Sequence, residues 1–170
     1  MTTFKEIRGQ LIRTLDQDPN PPLDGQIWYN KTLGTLRVVE PLEAWSSGAP
    51  LITARGALAS AGTQTAGLAA GGSPNTAATE EYNGSGWSNG GNLNTPRRAL
   101  AGCGTQTAGL AFGGFTTANT NATEEYDGST WTAGGNLGTT RTLLAGCGTQ
   151  TAGLAFGGFT TAVTNATEEY

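Results

Sequence analysis

Histidine is absent from the 170 residues, and cysteine occurs only twice. Histidine is the commonest general base and the commonest metal ligand in proteins, so its absence excludes the Ser/His/Asp and Cys/His nucleophile systems. Cys103 and Cys147 occupy the same place in two copies of "LAGCGTQ", where an earlier copy has Ala61. A position that takes Ala or Cys is typical of a tight, buried site for a small side chain. We therefore expect no catalysis and no cofactor.

Charged residues are also scarce, at 13% of the chain, and they leave a net charge of -4. Nucleic acids and anionic membranes attract proteins of the opposite sign, so we expect neither as a partner. No apolar run approaches the roughly 18 residues of a membrane helix. The start, "MTTFKEIRGQLIRTL", lacks the apolar core and cleavage site of a secretory signal. We expect synthesis in a cytoplasm and release by another route, such as lysis.

Glycine, by contrast, accounts for 27 residues, and threonine is abundant. Both are poor helix formers, and the chain after Leu58 lacks the apolar spacing of an amphipathic helix. This composition favours strands and tight turns. The sequence therefore predicts an all-β protein.

One unit occurs three times: "GTQTAGLAFGG" at 104–114 and 148–158, with a near copy at 62–72. A tryptophan precedes an arginine at one constant spacing in every copy, as Trp87 precedes Arg97. The copies step by 42 and then 44 positions, and the difference falls between the "GG" and "EEY" of each unit. An insertion confined to one stretch marks that stretch as a surface loop.

Each unit contains four extended pieces. Two strands, "RTLLAGCG" and "AGLAFGGF", are apolar enough to be buried on both faces, and a turn in "TQTAG" joins them. The outer pair, "NATEEY" and "WTAGGNL", is joined by "DGST". A four-residue hairpin loop places its flanking aromatic residues opposite each other. Adjacent glutamates on a strand point to opposite faces, so we expect one to pair with a repeat arginine and the other to be solvated. The residues expected to pack the repeats are Tyr82, Trp87, Arg97, Tyr126, Trp131 and Arg141.

Four strands in about 44 residues, in sheets that cannot bury both faces alone, predict blades of a β-propeller over 42–170. The three copies span about 42–86, 87–130 and 131–170. A β-solenoid with two coils per unit is the alternative, suggested by the glycine pair that recurs half a unit later, at Gly113 and again at Gly134.

The order "FGG", "EEYDG", Trp and then Arg resembles the kelch repeat, and each copy carries it. The resemblance implies that the double glycine ends the second strand near a central channel and that Tyr and Trp pack between blades. The copies depart from the usual pattern in having "GGNL" after the tryptophan. Copper oxidases of this fold need histidines, so that activity does not carry over.

The repeats begin at a Trp strand, with Trp45, and stop at a Tyr strand, with Tyr170. Propeller rings often pair an N-terminal with a C-terminal strand in one blade, but closed rings contain roughly four to eight blades. Either the natural chain continues past Tyr170, which we favour, or two chains combine to give six blades. We expect a homo-oligomer.

Residues 1–41 do not repeat. "DQDPNPPLDG" predicts a connector, and "GQIWYNKTLGTLRVV" predicts a β-hairpin with strands at 26–30 and 35–39. Phe4, Ile7, Leu11, Ile12 and Leu15 have helical spacing, although "QLIRTL" suits a strand equally well. The segment has too little apolar mass to be stable alone, so we expect it to dock on a partner.

An "IRG" start, a "DP" connector, the "GQIWYN" hairpin and these repeats together resemble structural proteins of tailed phages of marine bacteria, including cyanophages and pelagiphages. The resemblance spans nearly the whole chain. It implies a virion protein, a tail fibre or appendage, in which 1–41 attach to other virion proteins and 42–170 are displayed.

We expect the displayed repeats to bind a host-surface glycan through their variable loops, 73–79, 115–122 and 159–166. A cellular kelch-type scaffold or adhesin that binds protein partners is the alternative. The candidate binding residues in the loops are Ser73, Asn75, Thr117, Asn119, Thr161 and Thr164.

Overall fold

The computed structural model describes residues 12–21, 26–38 and 45–170, in two compact units, 1–46 and 47–170. Strands and turns make up all the regular structure of the described residues, which confirms the all-β prediction. None of these residues lies in a helix long and apolar enough to cross a membrane.

The described residues of the N-terminal unit form a three-stranded sheet, in the order β1-β2-β3. Strands β2 (Ile27–Asn30) and β3 (Thr35–Val38) pair antiparallel around a turn at 31–34, which confirms the predicted hairpin. Strand β1 (Arg13–Leu15) pairs parallel with β2, so the strand interpretation of "QLIRTL" is right for these residues. The helical spacing at Phe4, Ile7 and Leu11 lies outside the described residues.

Asp18 ties this sheet together. Its carboxylate accepts hydrogen bonds from the Trp28 indole at 2.9 Å, the Asn30 amide at 2.7 Å and the Arg37 guanidinium at 3.0 Å. The Asn30 and Trp28 hydrogen bonds, with a smaller contribution from Arg37, hold the pKa of Asp18 below its usual value. The proline-containing connector therefore does more than link two strands, because it supplies the anion that orients the buried side of β2.

The second unit consists of three consecutive antiparallel sheets, here called the first, second and third sheet. Each is a meander in which neighbours along the chain are neighbours in the sheet. The first sheet contains β4 (Ala59–Thr63), β5 (Ala66–Ala70), β6 (Thr79–Tyr82) and β7 (Trp87–Asn89). The second contains β8 (Ala101–Thr105), β9 (Ala108–Phe112), β10 (Thr123–Tyr126) and β11 (Trp131–Ala133). The third contains β12 (Ala145–Thr149), β13 (Ala152–Phe156) and β14 (Thr167–Glu169).

The turn between the first two strands of each sheet depends on glycine. Gly104 has a φ of +94°, and a Cβ there would lie 2.2 Å from the Ala108 carbonyl oxygen across the turn. A left-handed backbone and a steric limit thus act at the same residue, and only glycine meets both. The equivalent glycine recurs in all three copies, so the repeated "GTQTAG" is the sequence of this turn.

Successive sheets stack through their first strands. Strand β8 packs between β4 and β12. Two residues before these strands, the Ala99 N–H donates to the Ala57 carbonyl at 2.7 Å and the Leu143 N–H donates to the Ala99 carbonyl at 2.8 Å, so a backbone hydrogen bond joins each sheet to the next. Leu68 and Leu110 of one sheet project against Gly109 and Gly153 of the next, where a Cβ would lie 2.6 and 2.9 Å from a leucine methyl. Because leucine side chains of one sheet pack against glycines of the next, the sheets approach closely although few large apolar side chains lie between them.

Burial follows the position of a sheet in the stack. Cys103, in the middle sheet, is buried, whereas the equivalent Cys147 is exposed because the third sheet has one uncovered face. The expectation of a tight, buried site is therefore right for Cys103 and wrong for Cys147. The same uncovered face leaves β12 and β13 partly exposed, although the sequence predicts buried strands there.

Candidate functional site

The repeated aromatic residues form cross-strand pairs in the register that the hairpin length predicts. Tyr82 lies opposite Trp87 and Tyr126 opposite Trp131, with ring centroids 5.1 and 4.8 Å apart. The Trp131 indole is 5% exposed, and its N–H donates to the Thr79 hydroxyl of the preceding sheet at 3.0 Å. An aromatic pair of one sheet is therefore also part of the junction with its neighbour.

Each repeat arginine is a buried cation inside its own sheet. Arg97 is completely buried, and it donates to Glu124 at 3.0 Å and to the carbonyls of Gly113, Ala122 and Ala111 at 3.1, 2.6 and 3.4 Å. Burial lowers the pKa of the Arg97 guanidinium, and the charge of Glu124 opposes that shift. The arginine therefore adds side-chain hydrogen bonds to three carbonyls at the end of the sheet, one of which, that of Ala122, also accepts from the Gly113 N–H at 3.0 Å.

The same arrangement recurs in the other two sheets. Arg55 forms a buried ion pair with Glu80, and Arg141 pairs with Glu168 at 2.8 Å. The expectation that one glutamate of each "EE" pairs with a repeat arginine is thus confirmed in three sheets.

The second glutamate has a different role from the one expected. Glu81 accepts a hydrogen bond from the Tyr126 hydroxyl of the next sheet at 2.5 Å, and Glu125 accepts one from Tyr170. The expectation of a merely solvated carboxylate is wrong for these two residues, because the next sheet brings a phenol against each. Burial, together with the Glu81 hydrogen bond, raises the pKa of Tyr126 to about 12.

The glutamine of "TQT" connects neighbouring sheets. The Gln106 amide donates to the Gly67 and Tyr82 carbonyls at 3.0 and 2.7 Å, and Gln150 makes the same pair of bonds to Gly109 and Tyr126. The residue types and spacing of the repeat predict the position of this turn correctly, but they do not predict what its glutamine contacts. The identity of the glutamine in all three copies, at a turn where surface residues usually vary, was the signal for the contact.

Replacing Gln106 with alanine is expected to lower the free energy of unfolding by about 1 to 3 kcal/mol, because two carbonyls at a closed junction each lose a hydrogen bond. The matched control is Gln64→Ala, since Gln64 has the same position in the first sheet but is exposed there. Urea unfolding followed by tryptophan fluorescence measures both. Equal losses in the two variants would show that the turn, and not the junction, needs the glutamine.

The three predicted binding loops lie in equivalent places, between the second and third strands of each sheet. Each loop contacts the loop of the next sheet. The Asn75 amide donates to the Thr116 carbonyl at 2.7 Å. The Asn119 amide donates to the Thr160 carbonyl at 2.8 Å. Two of the candidate binding residues are thus engaged between loops, and the three loops form one continuous edge, here called the loop edge.

Several groups on the loop edge remain available. Ser73, Thr117 and Thr161 are exposed, and Thr164 is half-buried, with its hydroxyl accepting from the Ala166 N–H at 3.2 Å. The Arg98 guanidinium lies 4.5 Å from the centre of the Phe115 ring. This edge therefore offers hydroxyl groups beside aromatic and cationic surface.

A second loop of the repeat, the outer hairpin loop at 127–130, is ordered by its first residue. The Asp127 carboxylate accepts from the backbone N–H groups of Ser129 and Thr130, both at 2.8 Å. These bonds, that from Thr130 foremost, lower the pKa of Asp127 to about 2. Asn83 accepts the equivalent bonds in the first sheet, so the residue orders a loop and needs no charge for that role.

Nothing in the described part of the chain gathers three or more metal-ligating side chains. The buried carboxylates that might suggest acid and base chemistry are each fixed by an arginine within a sheet, as the pair Arg97 and Glu124 illustrates. The three sheets form a stack in which the same junction occurs twice, and their loops form the exposed loop edge. No protein-family model matches the chain, and a search of curated proteins finds no significant match.

Proposed function

We propose that the protein is a structural component of a tailed phage particle, a tail fibre or appendage, that displays its repeats for binding to the host surface. The observation that carries the binding role is the loop edge, where three equivalent loops form one continuous exposed surface. The resemblance of nearly the whole chain to structural proteins of marine phages supports the location. In this proposal the protein builds and binds, and it does not catalyse.

The three sheets are proposed to be kelch-like propeller blades. Meanders of strands that stack through their first strands support this architecture, as do the backbone hydrogen bonds from Ala99 to Ala57 and from Leu143 to Ala99 just before those strands. The first strands would then line the central channel. The double glycine after the second strand, as in Gly113 and Gly114, agrees with the kelch pattern.

Attachment to other virion proteins is assigned to residues 1–41. The β2–β3 hairpin presents two cross-strand apolar pairs on one face, Ile27 with Val38 and Tyr29 with Leu36. Each of these side chains is 40 to 53% exposed. An apolar face of this kind on a small sheet is suited to burial against another protein.

A glycan is the ligand class that best matches the loop edge. Its hydroxyls, amides and the ring of Phe115 can bind sugar hydroxyl groups and the apolar face of a sugar ring. The net charge of -4 does not favour an anionic ligand.

The test compares how labelled loop variants and the labelled unaltered protein bind to host cells. Thr117→Arg and Thr161→Arg place bulky side chains at exposed tips of the loop edge, and we expect each to weaken binding at least about tenfold. Thr132→Arg is the matched control, since Thr132 is exposed on the outer strand β11. Equal binding by all three variants would refute the use of the loop edge. Antibody labelling of purified particles tests the location, and unlabelled particles would refute it.

A further inference from the structure

One arginine of the repeats differs from the other three. Arg55, Arg97 and Arg141 each form an ion pair with a glutamate of their own sheet. Arg98 is the remaining arginine of residues 47–170, and it pairs with no carboxylate of the described residues. Its half-buried side chain lies at the loop edge instead. The loop edge therefore holds a guanidinium whose charge is not balanced by a neighbouring carboxylate.

The repeat does not need an arginine at this position. Arg98 and Phe115 exchange two backbone hydrogen bonds, at 3.1 and 2.8 Å. Thr142 and Phe159 exchange the same two bonds in the third sheet, at 3.0 and 2.8 Å. In the first sheet, the equivalent residue that forms this backbone bridge is Gly56. Glycine, arginine and threonine all suit this backbone, so the guanidinium is not a requirement of the fold.

Two neighbours hold the Arg98 guanidinium in one orientation. Its Nη1 donates to the Asn75 amide oxygen at 2.7 Å, and its Cζ lies 4.5 Å from the centre of the Phe115 ring. Asn75 is itself fixed, because its amide nitrogen donates to the Thr116 carbonyl at 2.7 Å. A guanidinium carries five N–H donors, and among the described residues only Nη1 has an acceptor. The other donors are available to a ligand.

The charge of the loop edge suits an anion, although the whole chain is acidic. The three loops of the loop edge contain no acidic residue. The two glutamates that follow the first and second loops most closely, Glu80 and Glu124, each face a buried arginine. The aspartate of the outer hairpin, Asp127, follows the far end of β10. The acidic residues that make the net charge negative therefore lie outside the loops, and Arg98 leaves this edge locally positive.

We propose that Arg98, held by Asn75 and Phe115, binds an acidic sugar of the host-surface glycan through its carboxylate or sulfate group. This inference rests on the proposed function, because it names the chemistry of the glycan that the loop edge binds. Two oxygens of a carboxylate or sulfate match two N–H groups of a guanidinium, which gives a bidentate contact. The exposed hydroxyls of Ser73 and Thr117, on the same edge, are available to the neutral groups of the glycan.

Binding of the purified 170-residue chain to immobilised polysaccharides tests the proposal. Alginate supplies carboxylates, fucoidan supplies sulfates, and laminarin is neutral, so the three distinguish the two sources of the anion from a neutral sugar. The chain is expected to bind at least one of the acidic polysaccharides more tightly than laminarin. Arg98→Met should weaken that binding about tenfold or more, because it removes charge-assisted hydrogen bonds.

The matched control is the same substitution at an exposed arginine of β1. Arg13→Met changes the net charge equally, so it should leave the binding unchanged if contact with Arg98, and not overall charge, is responsible. Three results would overturn the proposal: no binding to either acidic polysaccharide, binding to laminarin that is equally tight, or acidic binding that Arg98→Met leaves intact.

A variant that gains a site separates recognition from stability. One repeat after Arg98 the chain has Thr142, and the accompanying asparagine and phenylalanine are already present as Asn119 and Phe159. Thr142→Arg therefore completes a second copy of the site. Added to Arg98→Met, it should restore binding to the acidic polysaccharide, with circular dichroism to show that the sheets are intact. A folded double variant that does not regain binding counts against the proposal.

Host cells distinguish a failure of this inference from a failure of the proposed function. If Thr117→Arg weakens binding to host cells and Arg98→Met does not, the loop edge binds its receptor without an acidic sugar, and only the inference fails. If the loop variants bind host cells as the unaltered protein does, the proposed function fails. The polysaccharide measurements then still decide whether Arg98 binds a carboxylate or sulfate.

Discussion

Replacing Arg97 with methionine is expected to lower the free energy of unfolding by about 3 to 5 kcal/mol. The guanidinium is completely buried, and its removal leaves the Glu124 carboxylate without a countercharge. It also removes the guanidinium hydrogen bonds to the carbonyls of Gly113 and Ala122. Methionine keeps an unbranched apolar side chain over most of the length of the arginine stem, so the loss reports charge and hydrogen bonding more than volume. Urea unfolding, followed by tryptophan fluorescence and circular dichroism, measures it.

The neighbouring residue supplies the control. Arg98 is half-buried, lies over the ring of Phe115 and donates to the Asn75 amide oxygen at 2.7 Å. A cation over an aromatic ring contributes about 0.5 to 1 kcal/mol and a hydrogen bond about 1 kcal/mol, so Arg98→Met should cost no more than about 2 kcal/mol. Similar losses for the two arginines would contradict a special role for the buried pair.

A double variant separates the two causes of the Arg97 effect. Arg97→Met with Glu124→Gln removes the buried charge but still lacks the guanidinium hydrogen bonds to the carbonyls. We expect the double variant to recover roughly 1 to 3 kcal/mol of the loss, since an uncompensated charge costs more than an amide in the same place. Recovery below that range would assign most of the effect to the carbonyls.

Local chemistry made much of each sheet predictable from the sequence. The "GTQTAG" turn, the four-residue outer loop and the "GQIWYN" hairpin are set by residues close together in the chain, and the structure has all three. The expected pairing of arginine with one glutamate is also confirmed, because alternation along a strand decides which of two adjacent carboxylates faces inward.

Contacts between sheets were not predictable in the same way. The bond from Tyr126 to Glu81 joins residues 45 positions apart, and those of Gln106 reach back 24 and 39 positions. Such contacts depend on how closely two sheets stack and at what offset, and neither quantity is encoded in one repeat. The repetition of an unexplained residue, such as the glutamine, was the only sequence signal for them.

Burial at the ends of the stack of sheets was not predictable from the sequence of one repeat either. The sequence places Cys103 and Cys147 in identical surroundings, yet only the first is buried. Equal sequence gives equal local structure, but burial also requires a neighbour on both faces. For the candidate site, the positions of the loops were predictable, whereas the use of Asn75 and Asn119 between loops was not.

Replacing Gly91 with alanine is expected to lower the free energy of unfolding by roughly 3 kcal/mol, through overpacking at the junction of the first and second sheets. A Cβ on Gly91 would lie 1.9 Å from the carbonyl oxygen of Ser129, in the outer hairpin of the second sheet. That hairpin is poorly able to yield, because Asp127 holds the N–H groups of Ser129 and Thr130. The sheets would have to separate to admit one methyl group.

Gly135 provides an internal control of the same residue type, at the equivalent place one repeat later. A Cβ there meets nothing closer than a ring carbon of Tyr170 at 3.5 Å, which is ordinary contact. Neither glycine has a positive φ, so alanine suits the backbone at both positions, and Gly135→Ala should leave stability within about 1 kcal/mol of the unaltered chain. A large loss of stability in both variants would indicate that the segment between neighbouring sheets itself requires glycine at this position. A loss confined to Gly91→Ala would show that the close approach of neighbouring sheets, and not any single sheet, sets the stability of the stack.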